Sequence, residues 1–253
     1  MRGAQAKAAP GRFNQVAIAP MLLLHLAAAT KPQPFTLTLM RQVEKNFLFR
    51  GPEQTVLGMW DDAGLRLQMR LLAPSLPHDF HLVDLCLLNA VDDVPAEDIE
   101  RRYFAHHPDK GRFVWWPTNG TKLDAFNVSV ASRAAAVRAW RPNSSWIDPL
   151  PWWVDEIDEL LHTPRADNRS TVVFIHCHGG KDRTGEVAGS YYMRHMNMTL
   201  QEATTRDHQI AGRSIGHYNQ LALEWYCIWL REVLRYPLTC PKPIVERIVN
   251  ESR

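Results

Sequence analysis

The sequence has few cysteines and almost no net charge, and each shortage excludes a class of protein. Its four cysteines are too few for a disulfide-built scaffold, and no Cys-x-x-Cys pair indicates a zinc knuckle or a thioredoxin-type site. We therefore expect the cysteines to be chemical rather than architectural. Lys plus Arg number 29 against 27 Asp plus Glu, and the resulting charge of +2 lacks the basic excess typical of a nucleic-acid binder.

The chain also lacks internal repeats, low-complexity blocks and a Gly/Ser-rich linker between residue 35 and its end. Its 253 residues are enough to bury a sizeable core, and 45% hydrophobic with 22% charged residues is an ordinary globular composition. We expect one domain over residues 30–253.

No apolar run near the amino terminus is long enough for a transmembrane helix. Residues 1–12 carry three basic side chains and no acid, and an apolar stretch over residues 17–29 follows, interrupted by Pro20 and His25 and ending in three alanines. This order predicts a signal peptide over residues 1–29. The alternative is an unstructured tail on a cytoplasmic protein.

Asn-x-Ser/Thr triplets are more frequent than the composition explains. Ten Asn among 22 Ser plus Thr give about one such triplet by chance, on the glycosylation acceptor pattern. Six are present, none with Pro in the middle, and they begin at Asn119, Asn127, Asn143, Asn168, Asn197 and Asn250. The excess favours a glycoprotein of the secretory pathway lumen or a secreted chain over a cytoplasmic one.

Apolar runs and turn signals predict strands interleaved with helices. Strands are expected over residues 47–49, 81–88, 113–116 and 171–176, and helices over 131–140, 152–162, 186–196, 200–210 and 218–234. Thr199 and Glu202 form a capping box at the start of the fourth helix. The fold class that this alternation indicates is α/β, with a central, mostly parallel sheet flanked by helices.

The last predicted strand leads directly into the segment that carries chemistry, residues 176–185. Cys177 ends the strand, where backbone N–H groups and a helix amino terminus stabilise a thiolate. Gly179 and Gly180 allow successive N–H groups to surround phosphoryl oxygens, and Arg183 can bind two of these oxygens bidentately. Thr184 can donate its hydroxyl to the sulfur and help it to leave a phosphocysteine.

These residues resemble the signature of the cysteine-based protein tyrosine phosphatase superfamily, His-Cys-x5-Arg-Ser/Thr, at His176, Cys177, Arg183 and Thr184. The string over residues 180–185 is most similar to dual-specificity members and to lipid-active members such as the phosphatase and tensin homologue. The resemblance implies a protein tyrosine phosphatase-like fold and a phosphatase with Cys177 as nucleophile, acting without metal or cofactor. It also implies that Cys86, in a predicted strand, is a potential disulfide partner of the nucleophile.

The family also requires an aspartic acid that protonates the leaving oxygen. Asp148, 29 residues before Cys177 in Trp-Ile-Asp-Pro, resembles the family's Trp-Pro-Asp loop with Ile147 in place of Pro. Asp124 and Asp182 remain alternatives for this role.

Side chains of the 176–185 loop are the candidates for substrate binding. We expect His178, Gly179, Gly180, Lys181, Asp182 and Thr184 to contact substrate, with His178 and Lys181 at the pocket mouth. Adjacent strand positions point to opposite faces, so His176 and His178 flanking Cys177 do not predict a metal site. We expect His176 to hydrogen-bond the loop backbone.

The predicted reaction is phosphomonoester hydrolysis. The expected substrate is a phosphoprotein, with phosphotyrosine or mixed specificity. Phosphoinositides or inositol phosphates are the alternative, and a catalytically silent module that binds phosphorylated ligands is a third possibility. No nucleic acid and no membrane span are expected, and the oligomeric state is left open.

Overall fold

A computed structural model describes residues 37–89 and 94–241 of the chain. Every described residue belongs to a single compact unit. The predicted signal peptide over residues 1–29 and the triplet at Asn250 lie outside the described residues.

In the described part of the chain, seven strands form one five-stranded sheet and one short hairpin. They are β1 (Thr38–Val43), β2 (Asn46–Pro52), β3 (Thr55–Val56), β4 (Met59–Trp60), β5 (Phe80–Cys86), β6 (Gly111–Trp115) and β7 (Ser170–Cys177). The order in the large sheet is β1-β2-β7-β5-β6. Within this sheet the β1–β2 pair is antiparallel, because a tight turn joins the two strands. The other pairs are parallel, because helical crossovers connect β2, β5, β6 and β7.

Seven α-helices within residues 37–89 and 94–241 cover the two faces of the sheet. They are α1 (Asp62–Leu72), α2 (Val94–His106), α3 (Val130–Ala139), α4 (Leu150–His162), α5 (Asp182–His195), α6 (Leu200–Ala211) and α7 (His217–Glu232). Side chains of α1 and α2 pack on one face of the sheet, and those of α3 to α7 pack on the other. The predicted fold class, α/β with a mostly parallel sheet flanked by helices, is confirmed.

The central strand β7 determines where the site lies. All eight of its residues are buried, since β2 and β5 pair on either side and helices cover both faces. Val173 and Ile175 face α3 to α7, whereas Val172 and Phe174 face α1 and α2. Cys177 is the last residue of this strand, so it lies at the carboxyl edge of the sheet, where parallel α/β folds bind ligands.

The expectation that the cysteines are chemical is wrong for two of the four. Cys227 in α7 forms a disulfide with Cys240, 13 residues later, and so ties the segment after the helix to it. Both cysteines are buried. The spacing of the cysteines in the sequence did not indicate that these two form a disulfide. Among the described helices, none is both long and apolar enough to cross a lipid bilayer.

Candidate active site

The loop after β7 folds tightly over Cys177. The Gly180 N–H lies 3.3 Å from the Cys177 carbonyl oxygen, and the same oxygen accepts from Glu53 N–H at 2.8 Å. Gly180 has φ of 62°, and a Cβ there would lie 2.3 Å from the carbonyl carbon of Gly51. A side chain is therefore excluded at Gly180 by both conformation and space. The position of Gly179 is open, so the tight turn depends on the second glycine alone.

Cys177 and Thr184 are joined by a hydrogen bond across the loop. The Thr184 hydroxyl donates to Cys177 Sγ at 3.1 Å, and both side chains are buried. Because α5 begins at Asp182, the N–H groups of its first turn and the positive end of its dipole lie in the same loop. Arg183 also belongs to the first turn of α5, and its Nη1 lies 3.4 Å from the Leu87 carbonyl oxygen. The arrangement can bind a phosphoryl group beside a sulfur nucleophile.

A buried ion pair contacts the loop at Gly180. Arg50 of β2 and Asp207 of α6 form a salt bridge, and neither side chain is exposed. Arg50 Nη2 also donates to the Gly180 carbonyl oxygen at 3.3 Å. Burial raises the pKa of Asp207 to about 6, although the Arg50 guanidinium opposes this. Sequence analysis missed both residues, because 157 positions separate them.

Two of the basic side chains around the loop are paired with acids. His178 is exposed, and its Nδ1 lies 3.2 Å from Glu53 Oε1. Arg213 donates to both carboxylate oxygens of Asp182, at 2.7 Å each. The bond to Asp182 raises the pKa of the Arg213 guanidinium. Arg213 thus lies beside the first turn of α5, which the sequence motif did not indicate.

The three candidate acids lie in different surroundings. Burial opposes ionisation of Asp182, but Arg213 and the Gly216 N–H outweigh it and lower the pKa of Asp182. Such a carboxylate is a poor proton donor. Asp124 instead caps a short 3-10 helix, Ala125–Asn127, by accepting from the Phe126 N–H at 2.7 Å.

Asp148 is buried at the start of α4 and accepts hydrogen bonds from the Asn119 and Gly120 N–H groups, at 2.9 and 2.6 Å. Burial raises its pKa, in spite of these two donors and of Glu186. Glu186 is fully buried in α5, three residues beyond Arg183, and its pKa is raised well above the usual value by burial and by Asp148. The Asn219 amide donates to it at 2.7 Å. Asp148 therefore belongs to a pair of carboxyl groups whose ionisation burial opposes.

His176 does not hydrogen-bond the loop backbone through its side chain, as the sequence analysis expected. Its ring points to the face of α1 and α2, stacks on Phe174 at 4.9 Å, and lies near the carboxylates of Asp84 and Glu100. The parallel register pairs Cys86 with His176 and not with Cys177. Cys86 and Cys177 are both free thiols, and the disulfide between them that the resemblance implies stays a prediction.

No family model matches this sequence, and no curated protein matches it either. Several solved structures are similar in fold. A leucine-rich repeat and phosphatase domain protein from Entamoeba histolytica has 7% identity and a TM-score of 0.41, covering 78% of this chain and 95% of that one. The core catalytic domain of the PP-IP phosphatase SIW14 from S. cerevisiae has 12% identity and a TM-score of 0.40, covering 76% and 86%. The human tyrosine phosphatase-like serine/threonine/tyrosine-interacting protein has 12% identity and a TM-score of 0.39, covering 74% and 94%. Identities and TM-scores of this size describe a remote similarity. The fold assignment therefore rests on the strand order and the crossovers of this chain.

Proposed function

We propose that this protein is a cysteine-dependent phosphatase that hydrolyses phosphomonoesters through a phosphocysteine intermediate. The observation that supports it best is the hydrogen bond from Thr184 to Cys177 Sγ inside a loop that opens α5. A buried cysteine without a chemical role needs neither a hydroxyl donor nor a helix amino terminus at its sulfur. Both features stabilise a thiolate, and both surround the position that a phosphate would occupy.

The proposed reaction has two steps. The Cys177 thiolate attacks phosphorus, the bond to the ester oxygen breaks, and Asp148 protonates the departing alcohol. Asp148, now ionised, then removes a proton from a water molecule that attacks the phosphocysteine. The sulfur–phosphorus bond breaks, inorganic phosphate leaves, and the Thr184 hydroxyl donates a hydrogen bond to the returning thiolate. Arg183 and the loop N–H groups bind the phosphoryl oxygens throughout.

For the substrate we propose a phosphoprotein, with phosphotyrosine or mixed specificity. The charges around the loop support this choice. Asp182 pairs with Arg213, and Glu53 lies 3.2 Å from His178, so the rim offers less positive charge than the sequence alone indicates. A monophosphate suits such a rim better than a substrate with several phosphates, although Lys181, half-buried beside Asp182, keeps phosphoinositides and inositol phosphates as the alternative.

A substrate panel with matched variants tests these proposals. The panel contains phosphotyrosine peptides, phosphoserine peptides, phosphoinositide vesicles and soluble inositol phosphates. We expect phosphate release from the peptides, with none from Cys177→Ser, and a loss of at least a hundredfold in Arg183→Lys, because lysine cannot bind two oxygens bidentately. Arg102→Lys, on the exposed side of α2, is the control and should leave the rate unchanged.

Each other outcome has a distinct meaning. Release from the lipid or inositol substrates alone would transfer the substrate assignment to that class. Tight binding of phosphopeptides without release by the wild-type protein would indicate a silent binding module. Turnover that survives Cys177→Ser would overturn the phosphocysteine mechanism.

We also propose that the chain enters the secretory pathway. Two observations support this location over the cytoplasm. The Cys227–Cys240 disulfide suits an oxidising compartment. The five triplet asparagines in the described residues, Asn119, Asn127, Asn143, Asn168 and Asn197, are all exposed, as acceptors of a glycan must be.

A further inference from the structure

Four buried side chains with metal-binding atoms meet behind the active-site loop. They are Asp84 and Cys86 of β5, Glu100 of α2 and His176 of β7, and we call them the His176 cluster. All four are fully buried. Because His176 and Cys177 are adjacent in β7, the cluster lies on the opposite face of the sheet from the nucleophile, under Trp60 and Phe174.

The donor atoms of the His176 cluster converge. One ligand atom each from Cys86, Glu100 and His176 lies within 4.8 Å of the other two. His176 Nε2 is 3.5 Å from Glu100 Oε2 and 2.9 Å from Asp84 Oδ1. Tetrahedral zinc with bonds of 2.0–2.3 Å separates its ligand atoms by about 3.3–3.8 Å. The atoms thus need to move little to surround one ion.

The same atoms have no hydrogen-bond partner outside the cluster in the described residues. Both carboxylate oxygens of Asp84, both of Glu100 and both ring nitrogens of His176 are buried, and beyond the close approach of His176 Nε2 to Asp84 Oδ1 they make no well-formed hydrogen bond. Buried polar atoms in native proteins almost always have such a partner, and a group of six in one place is exceptional.

Protons are the alternative to a cation in this place, because a divalent ion binds the deprotonated forms of thiol and carboxyl groups and displaces their protons.

We propose that the His176 cluster is a zinc site, with Cys86, Glu100 and His176 as ligands and Asp84 as the nearest donor for the fourth position. Thiolate, imidazole and carboxylate together suit Zn²⁺ and Co²⁺ better than the all-oxygen sets preferred by Mg²⁺ and Ca²⁺. The ion is closed off from solvent and from Cys177, so it takes no part in phosphate hydrolysis. It fixes the end of β7 from which the loop starts, and the proposal is independent of the proposed function.

Metal content and cobalt spectroscopy of the full-length protein test this site. We expect about one zinc per chain in protein purified without chelator or a metal-affinity tag, as for a closed structural site. Cobalt exchanged into the protein should give a near-ultraviolet thiolate-to-cobalt absorption. Cys86→Ser should remove that absorption, and Glu100→Gln, which is nearly isosteric, should weaken metal retention. Cys177→Ser is the matched control, because it removes the only other free thiol, and it should keep both the metal and the absorption.

Wild-type protein decides the question even if Cys86→Ser fails to fold. No stoichiometric zinc and no thiolate-to-cobalt absorption in the wild type would overturn the proposal and leave a proton-sharing network. Absorption that disappears in Cys177→Ser and persists in Cys86→Ser would overturn it as well, because the metal would then lie at the nucleophile.

Discussion

The Thr184 hydroxyl lies 3.1 Å from Cys177 Sγ and donates a hydrogen bond to it. In a phosphocysteine this hydroxyl would stabilise the sulfur as it departs. We therefore expect Thr184→Ala to slow breakdown of the intermediate by about a hundredfold, the scale for loss of one positioned donor, and to affect its formation less. Stopped-flow measurement with an activated aryl phosphate should show a burst of the leaving group followed by slow turnover.

Thr184→Ser is the control for this experiment, since it retains the hydroxyl and should turn over without a burst. A Thr184→Ala enzyme with normal turnover and no burst would show that the hydroxyl does not act on the sulfur.

Asp148 and Asp124 differ in how they would respond to removal of the carboxyl. We expect Asp148→Ala to lower turnover on poor leaving groups by about a hundredfold to ten-thousandfold, the range for loss of a general acid. An activated aryl phosphate should be affected less, because its leaving group needs no proton. Asp124→Ala should have a mild effect, because this side chain caps a 3-10 helix. The measurement is the steady-state rate of both variants on both substrates. A larger loss in Asp124→Ala than in Asp148→Ala would assign the role of general acid to Asp124.

The pH profile of turnover should depend on Glu186. Burial raises the pKa of Asp148 and of Glu186, whereas the hydrogen bond from the Glu186 carboxyl stabilises ionised Asp148 and lowers the pKa of Asp148. Glu186→Leu removes this donor, so Asp148 then keeps its proton to higher pH. We expect the alkaline limb of kcat to move to higher pH, while the acid limb stays in place. An alkaline limb that does not move would show that Glu186 does not affect the pKa of the catalytic acid.

The sequence predicted those parts of the fold that have local signals. Helix α6 has its capping box at Thr199 and Glu202, and the β-branched and aromatic run of β7 precedes a glycine turn. Helix α1 was not predicted, because its exposed Leu67, Leu71 and Leu72 obscure the buried face. The strand order could not be predicted from the sequence, because it depends on contacts between distant segments.

The same distinction applies to the site. Its motif is contiguous from His176 to Gly185 and was therefore visible, together with the roles expected of Cys177 and Arg183. The supporting pairs join distant positions, as Arg50 does with Asp207 and Asp148 with Glu186. No local pattern distinguishes such residues from ordinary charged side chains. The resemblance placed His176 beside the nucleophile but gave no reason to expect its buried carboxylate neighbours.

The Cys227–Cys240 disulfide should contribute to stability. It closes a loop of 13 residues, for which the chain-entropy relation gives about 3 kcal/mol. At this chain length we expect the double variant Cys227→Ala/Cys240→Ala to lower Tm by about 10 °C. Thermal unfolding followed by circular dichroism measures the change. Reductant should lower the Tm of the wild type and leave that of the double variant unchanged, whereas equal values for the two proteins would show that the bond adds no stability.

Expression in a eukaryotic secretory host should show whether the chain enters the secretory pathway. The glycosyl transfer machinery meets only lumenal chains, and our proposal that this chain meets it rests on six acceptor triplets where about one is expected. We expect a product that begins near Thr30 by amino-terminal sequencing and that loses mass when treated with an N-glycosidase.

A variant with Gln at the five described acceptor asparagines is the control, and its mass should change little, because only Asn250 remains. Since none of these asparagines supplies a side chain to the proposed phosphate chemistry, the variant should keep its activity once folded. An unprocessed and unglycosylated wild-type product would place the protein in the cytoplasm and leave the proposed phosphatase mechanism intact.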